Sequence, residues 1–319
     1  MDIIVDKELA GSMIRDVLQK KLRYSYNMIK KLKFRENGIL VNGEFVTVRY
    51  ILKEGDVLSL SVEDKAEDVS PYTIPIDIPI DVIYEDSSLT IVNKPPNMPS
   101  HPSNGHRDDT VSNALAWRYR ETNYVFRPVN RLDRDTSGCI LTANTKAAAY
   151  RMYLAMTGGA IRKHYIAVIN GCMDCDTGEI RSYMRRCEDS IVKRRETDGS
   201  DPEGKFAVTT YRVLYTDGAH SVLLLSPITG RTHQLRVHLA GKGCPITGDD
   251  MYGDASEHIG RQALHSYITT FPHPENDREM SVTAPLPHDI VYLIEKVFSN
   301  SDEVFDEIEK AGKCYNEIH

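Results

Sequence analysis

Within "RPVNRLDRDTSGCILTANT" (residues 127–145), Arg127, Arg131 and Arg134 surround Asp133 and Asp135, and an apolar run follows at once. An aspartate between two arginines has its charged form favoured by the neighbouring opposite charge. Such a carboxylate, held ionised in a pocket, could do chemistry on an anionic polymer. Thr136-Ser137-Gly138 reads as a tight polar turn that aims the preceding loop, with buried strand residues Ile140 and Leu141 behind it. Taken alone, the stretch reads rather as a salt-bridged surface loop.

Other chemistries lack their parts. There is no Gly-x-Gly-x-x-Gly and no P-loop Gly-Lys-Ser/Thr, so a nucleotide cofactor has no phosphate cradle. His233 and His238 lie five apart, about 140° round a helix, and cannot chelate a metal as an i, i+4 pair does. Asp176-Thr177-Gly178 is a single copy of an element that an aspartic protease needs twice. Cys172 and Cys175 have metal-like spacing but no second pair, so a hairpin turn holding two thiols is expected there, and no metal. The six cysteines are scattered, unlike a secreted disulfide scaffold.

The 319 residues suit two domains, with 41% hydrophobic and 27% charged residues as in ordinary globular proteins. The N-terminus has no basic leader followed by an apolar core, and no stretch approaches the ~20 apolar residues of a membrane span. A cytoplasmic protein without membrane partners is expected. The net charge of −7 argues against indiscriminate coating of nucleic acid but leaves room for local basic faces.

One such face stands out. Arg15, Lys20, Lys21, Arg23, Lys30, Lys31, Lys33 and Arg35 meet only Asp16 between positions 15 and 35. Ile14, Val17, Leu18 and Leu22 recur at helical spacing, as do Met28, Ile29 and Leu32. The runs "GILVNG", "FVTVRYI" and "DVLSLSV" then read as strands. Two basic-edged helices followed by strands form a compact unit over 1–65 with a phosphate-binding surface, for which Lys30, Lys31, Lys33 and Arg35 are candidates. A Pro-punctuated acidic linker spans 66–79. From 80 to 300 strands alternate with helices ("TVSNALAWRYR", "TKAAAYRMYLA", "HQLRVHLAGKG"), and turns such as Thr-Asp-Gly-Ala imply a mainly antiparallel or mixed sheet in an α+β domain. Residues 301–319 form an acidic tail, expected as a fraying terminal helix.

The first unit resembles the alpha-L RNA-binding domain of a small-subunit ribosomal protein and of bacterial tyrosyl-tRNA synthetases, on "RYSYNMIKKL", Val41-Asn42-Gly43 and "LKEGDVLSLSV". In the second, "EDSSLTIVNKPPNMPSHPS", "RPVNRLDRDTSG", "RKHYIAVINGC", "SPITGRTHQLRVHLAGKGCPITGDDMYG", "RQALHSY" and "APLPHD" follow in order, and together resemble an RluA-like pseudouridine synthase. That resemblance implies the pseudouridine synthase fold, with a central sheet flanked by helices, and an RNA isomerase that needs no cofactor. It implies Asp133 as the catalytic carboxylate, Tyr165 as the base-stacking tyrosine and Arg231 as the active-site arginine. Many members read His-Arg-Leu-Asp where this chain has Asn130-Arg131-Leu132-Asp133. Arg127, Arg131 and Lys94 are the expected phosphate contacts, and His101, His233 and His265 are expected scaffold residues. RNA is the expected partner, ribosomal (large-subunit) favoured and transfer RNA open. A non-catalytic RNA-binding or ribosome-assembly protein, or an RNA glycosylase using the same Asp, are the other readings.

Overall fold

The computed structural model describes all residues except 23, 63, 65–67, 71–72, 104 and 317–319. Arg23 and part of the expected linker therefore lie outside the described residues. The N-terminal elements are β1 (Asp2–Ile4), α1 (Ile14–Asp16) running into a π-helical turn (Val17–Lys21), α2 (Tyr26–Phe34), β2 (Ile39–Val41), β3 (Glu44–Phe45) and β4 (Val57–Leu60). The strands pair antiparallel in the order β1-β4-β2-β3 and enclose Ile14, Leu18, Ile29, Leu32, Ile39, Leu58 and Leu60. Ser25 caps α2, its hydroxyl accepting from the Met28 N–H at 3.2 Å. Asn42 and Gly43 both take positive φ, 51° and 83°, as a two-residue hairpin turn requires.

"FVTVRYI" is not a strand beyond Phe45, although its β-branched residues suggested one. Its carbonyls serve a helix instead. Val48 O and Tyr50 O accept from the Arg15 and Ile14 N–H groups at 2.9 and 3.0 Å, satisfying donors that a helix start leaves unpaired.

The second sheet carries the remaining elements. They are β5 (Asp81–Glu85), β6 (Leu89–Lys94), α3 (Val111–Arg118), β7 (Ser137–Ala143), α4 (Lys146–Thr157), β8 (Arg162–Asn170), β9 (Thr177–Arg186), β10 (Arg194–Thr197), β11 (Lys205–Thr216), β12 (His220–Pro227), α5 (Gln234–Gly241), β13 (Leu264–Pro272), β14 (Glu279–Thr283), α6 (His288–Val297) and α7 (Ser301–Asn316). Strand order is β10-β9-β11-β12-β8-β13-β7-β6-β5, with β14 on β13. Every described pair is antiparallel except β13 with β7, so the sheet is mixed and the fold α+β. Each residue of β7 is buried, which accounts for the unbroken apolar run after the charged loop.

α7 does not behave as a loose acidic tail. Val304, Ile308 and Ala311 are buried in the main core, with Phe305 and Tyr315 packed against it. Their spacing makes one apolar stripe, and the acids occupy the other face. The junction with the linker is also held: Asp64, before it, pairs with Arg127 at 2.5 Å and Lys146 at 3.0 Å, and Asp68, within it, with Lys146 at 2.8 Å and Arg35 at 3.6 Å.

Gly138 explains the end of the Thr-Ser-Gly turn. It pairs with Ser266 across the parallel β7–β13 junction at φ 109°. A Cβ there would sit 2.2 Å from the Ser266 carbonyl oxygen. Both the backbone angle and the space demand glycine. Gly138→Ala is expected to destabilise the fold by about 3 kcal/mol or more, read as a lowered denaturation midpoint, because strain and overpacking add.

Candidate active site

Asp133 lies on the loop between Asn130 and β7, and that loop is anchored from several sides. The Asn130 side chain donates to Cys139 O at 3.1 Å and accepts from the Leu141 N–H at 2.8 Å, so it clips the incoming chain to β7. Ser100 Oγ donates to Leu132 O and accepts from the Leu132 N–H, at 3.0 and 3.2 Å. Lys94, 0% exposed at the end of β6, donates to Pro95 O, Met98 O and Arg134 O at 2.8, 2.8 and 2.7 Å. Arg261 donates to Asp135 O at 2.8 Å and forms a two-pronged pair with Asp289 at 2.6 and 2.9 Å. Behind Ser137, His265 bridges Ser137 Oγ (2.9 Å) to Ala284 O (3.0 Å). Burial lowers that imidazole to about 4, so it is neutral scaffold, as expected.

The Asp133 side chain is 28% exposed, and its Oδ2 stands 3.8 Å from both His233 Nε2 and Arg236 Nη1. Arg236 is fixed by Asp249, which accepts from Nε and Nη2 at 2.6 Å each, while the guanidinium carbon lies 5.0 Å from the Tyr252 ring centroid. The Arg194 N–H donates to Tyr252 Oη at 2.8 Å, and Tyr252 Oη meets His233 Nδ1 at 2.9 Å. That network holds the imidazole through Nδ1 and turns its Nε2 edge toward Asp133. Burial keeps His233 below its ordinary value, against the opposing pull of the Asp133 charge. His233 takes φ 57° at the head of α5, an uncommon conformation that swings its ring toward Asp133.

Tyr165, on β8, is 6% exposed and close enough to Asp133 to feel its charge. Burial pushes its phenol above the ordinary range, opposed by the Ser266 side chain and reinforced to a lesser extent by the Asp133 charge. It is therefore a protonated aromatic surface at neutral pH, and poorly suited as a base.

Asp133 and Tyr165 thus stand together, while Arg231 stands apart. The Arg231 side chain is exposed and its Nε donates to Phe206 O at 3.0 Å. Arg231 precedes the first turn of α5, whereas Arg236 projects from within it. Sequence reasoning missed Arg236 although both arginines occur in "GRTHQLR", because only the helix start decides which one turns inward. It also set aside His233, which the left-handed backbone brings to the site. Lys94 is too buried to touch a phosphate; its three carbonyl partners make it a fastener of the loop. Arg127, with 13% of its side chain exposed and paired to Asp64, is likewise occupied. Arg131, Lys30, Lys31 and Lys33 are exposed, and Arg35 turns inward to Ser61 O at 3.1 Å. His101 is exposed. Among the described residues no cluster of His, Cys, Asp or Glu is arranged to hold a metal, and no helix is long and apolar enough to cross a membrane.

Residues 88–241, which carry Asp133, Tyr165 and Arg236, match the RNA pseudouridylate synthase family. The Bacillus subtilis RNA pseudouridine synthase YjbO is 37% identical over 276 residues, covering 86% of this chain and 95% of that relative. The chain belongs to the RluA-like family of RNA pseudouridine synthases. Ribosomal large subunit pseudouridine synthase D of Escherichia coli is 34% identical over 90% of each chain. The solved structure of human RNA pseudouridylate synthase domain containing 1 aligns with 28% identity and a TM-score of 0.53, over 65% of this chain and 83% of that one. As an RNA pseudouridine synthase the protein is an isomerase.

Arg236→Lys keeps a charge but loses the two-pronged grip on Asp249, and should lower kcat of uridine isomerisation by about 100-fold. Arg231→Ala should stay within about threefold of wild type, since Arg231 reaches only a surface carbonyl. Steady-state kinetics of the two variants check this.

Lys94 offers a second test. Burial lowers its amine to about 7, against about 10.4 in an unfolded chain. Between those values the unfolded chain binds more protons, so this residue makes stability rise with pH from about 7 to 10. Urea denaturation at intervals across that window should show a steeper rise for wild type than for Lys94→Met. The variant should also lose at least about 2 kcal/mol from its unpaired carbonyls. Equal slopes would mean that the three carbonyls keep the ammonium charged.

Proposed function

We propose that Asp133 is the carboxylate that acts at the anomeric carbon of a flipped-out uridine in large-subunit ribosomal RNA. The observation that carries this reading is the meeting of Asp133 with a buried, doubly anchored arginine and a neutral imidazole, both 3.8 Å from one carboxylate oxygen. A uridine stacked in a helix is out of reach, so the base must first be extruded. The N1–C1′ bond then breaks and uracil takes the electron pair. Positive charge grows on the sugar, and an adjacent carboxylate stabilises it or joins it covalently. The base turns, C5 bonds to C1′, the C5 proton leaves and N1 gains one. Substrate and product are isomers, so no energy source enters the balance.

In this reading Arg236 takes the role that the sequence suggested for Arg231: a fixed countercharge that holds Asp133 in one orientation. Tyr165 offers a flat, neutral face on which the detached base can turn. Residues 80–300 form the catalytic domain and residues 1–65 an RNA-binding unit, with Lys30, Lys31 and Lys33 on its exposed face and Arg131 beside the site. Relatives named ribosomal large subunit pseudouridine synthase D, at 34% and 33% identity, support ribosomal RNA as the substrate.

RNA labelled with tritium at uridine C5 should release label with wild type and none with Asp133→Asn. Equal release by both would remove Asp133 from the reaction. Pseudouridine mapping in cells lacking the protein should show sites lost from large-subunit ribosomal RNA; losses confined to transfer RNA would overturn that assignment.

A further inference from the structure

A cleft of about 980 Å³ opens between α2 and α4, well outside the surroundings of Asp133. Its walls carry Lys30, Lys31 and Phe34 from α2, and Lys146 and Tyr150 from α4, with Arg127 beside them. On the α2 wall Lys30 and Phe34 fall four apart on one stripe. Phe34 on the α2 wall is 78% exposed, and the half-buried Tyr150 on the α4 wall stacks on Tyr153 outside the cleft, with ring centroids 6.4 Å apart. A large aromatic left as open as Phe34 beside lysines has no use in the protein's own core. The two rings suit bases that are not already stacked in a duplex, whose faces can lie on them while lysines meet the phosphates.

The linker acids sharpen the point. Lys146 and Arg127 are already paired with Asp64 and Asp68, so the cleft floor is close to neutral. The positive charge that a ligand meets comes from Lys30 and Lys31, which are exposed on the α2 wall. Charge on one wall and aromatic rings on both fit a single polyanionic strand with unpaired bases.

We propose that this cleft is a second RNA site that holds a single-stranded segment of the substrate, with bases stacked on Phe34 and Tyr150 and phosphates on Lys30 and Lys31. The proposal rests on the reading that the substrate is a structured RNA. It assigns to the α2–α4 junction a chemical preference, unpaired over paired RNA, that a merely basic face would lack. Arg127, which lines the cleft, and Asp133 are six residues apart in the chain, so at most about 20 Å separates their Cα atoms. A single RNA strand of several nucleotides is long enough to follow that path.

The test uses the full chain and a fluorescein-labelled oligocytidylate of about ten nucleotides, beside a duplex of the same length, with anisotropy as readout. The oligocytidylate holds no uridine, so isomerisation does not enter. Wild type should bind the single strand more tightly than the duplex. Phe34→Ala, at an exposed position, should weaken single-strand binding by about tenfold and change duplex binding by less than about twofold. Lys30→Ala with Lys31→Ala should flatten the dependence of log affinity on log salt by about 1.4. Single-strand affinity unchanged by Phe34→Ala, or an equal loss on duplex, would overturn the proposal. Asp133→Asn should bind as wild type does. Loss of tritium release in the wild-type enzyme, with these binding differences intact, would instead remove the isomerase reading and leave the cleft standing.

Discussion

A carboxylate can serve as a reagent only if something nearby holds still while it reacts. Here that something is Arg236, seized by Asp249 through two 2.6 Å hydrogen bonds and buried with it. Removing an ion pair from water is costly, and good geometry with every hydrogen bond made is what offsets the cost. With Asp249 occupying Nε and Nη2, the remaining Nη1 edge is directed toward Asp133. The Asp249 backbone is itself constrained, since Gly248 before it sits at φ 78° where a Cβ would meet the Arg261 carbonyl oxygen at 2.4 Å. Arg261 in turn braces the Asp135 carbonyl. The reactive loop and its countercharge therefore lean on shared parts.

Buried charge is concentrated round this one loop. Lys94, Arg236, Asp249 and Arg261 are each at most 8% exposed; the three bases meet carbonyls or a carboxylate, and Asp249 meets the Arg236 guanidinium. Such groups seldom add net stability over apolar side chains of similar size. Their return is a loop with little freedom.

Much of this was legible in the sequence, and the failures have physical causes. The strands and helices of the large domain follow their apolar periodicity, and the Asn-Gly turn at 42–43 follows from backbone sterics alone. Asp133 and Tyr165 could be picked out by motif because each sits at a fixed place on the strand framework. Arg231 and Arg236 could not be told apart, because their difference is one of direction: a backbone reversal at His233 decides which guanidinium enters the core. Lys94 looked like a phosphate contact because lysine is usually exposed; here three inward carbonyls take its amine. The 45–51 run has strand composition but spends its carbonyls on the start of α1. Pattern reading sees side chains well and the destination of backbone groups poorly.

One pairing orders these parts in time as well as space. The parallel register of β7 with β13 joins Ser137 to His265, 128 residues further on, and the Arg261–Asp289 brace arrives later still. Contacts of such separation form late, since a long loop must close before they are made. Until residues beyond 265 have been added, β7 can pair with β6 alone, and the Arg261–Asp289 brace is incomplete. The segment that carries the "RLDRDTSG" motif thus takes its final bracing from residues made more than a hundred positions after it.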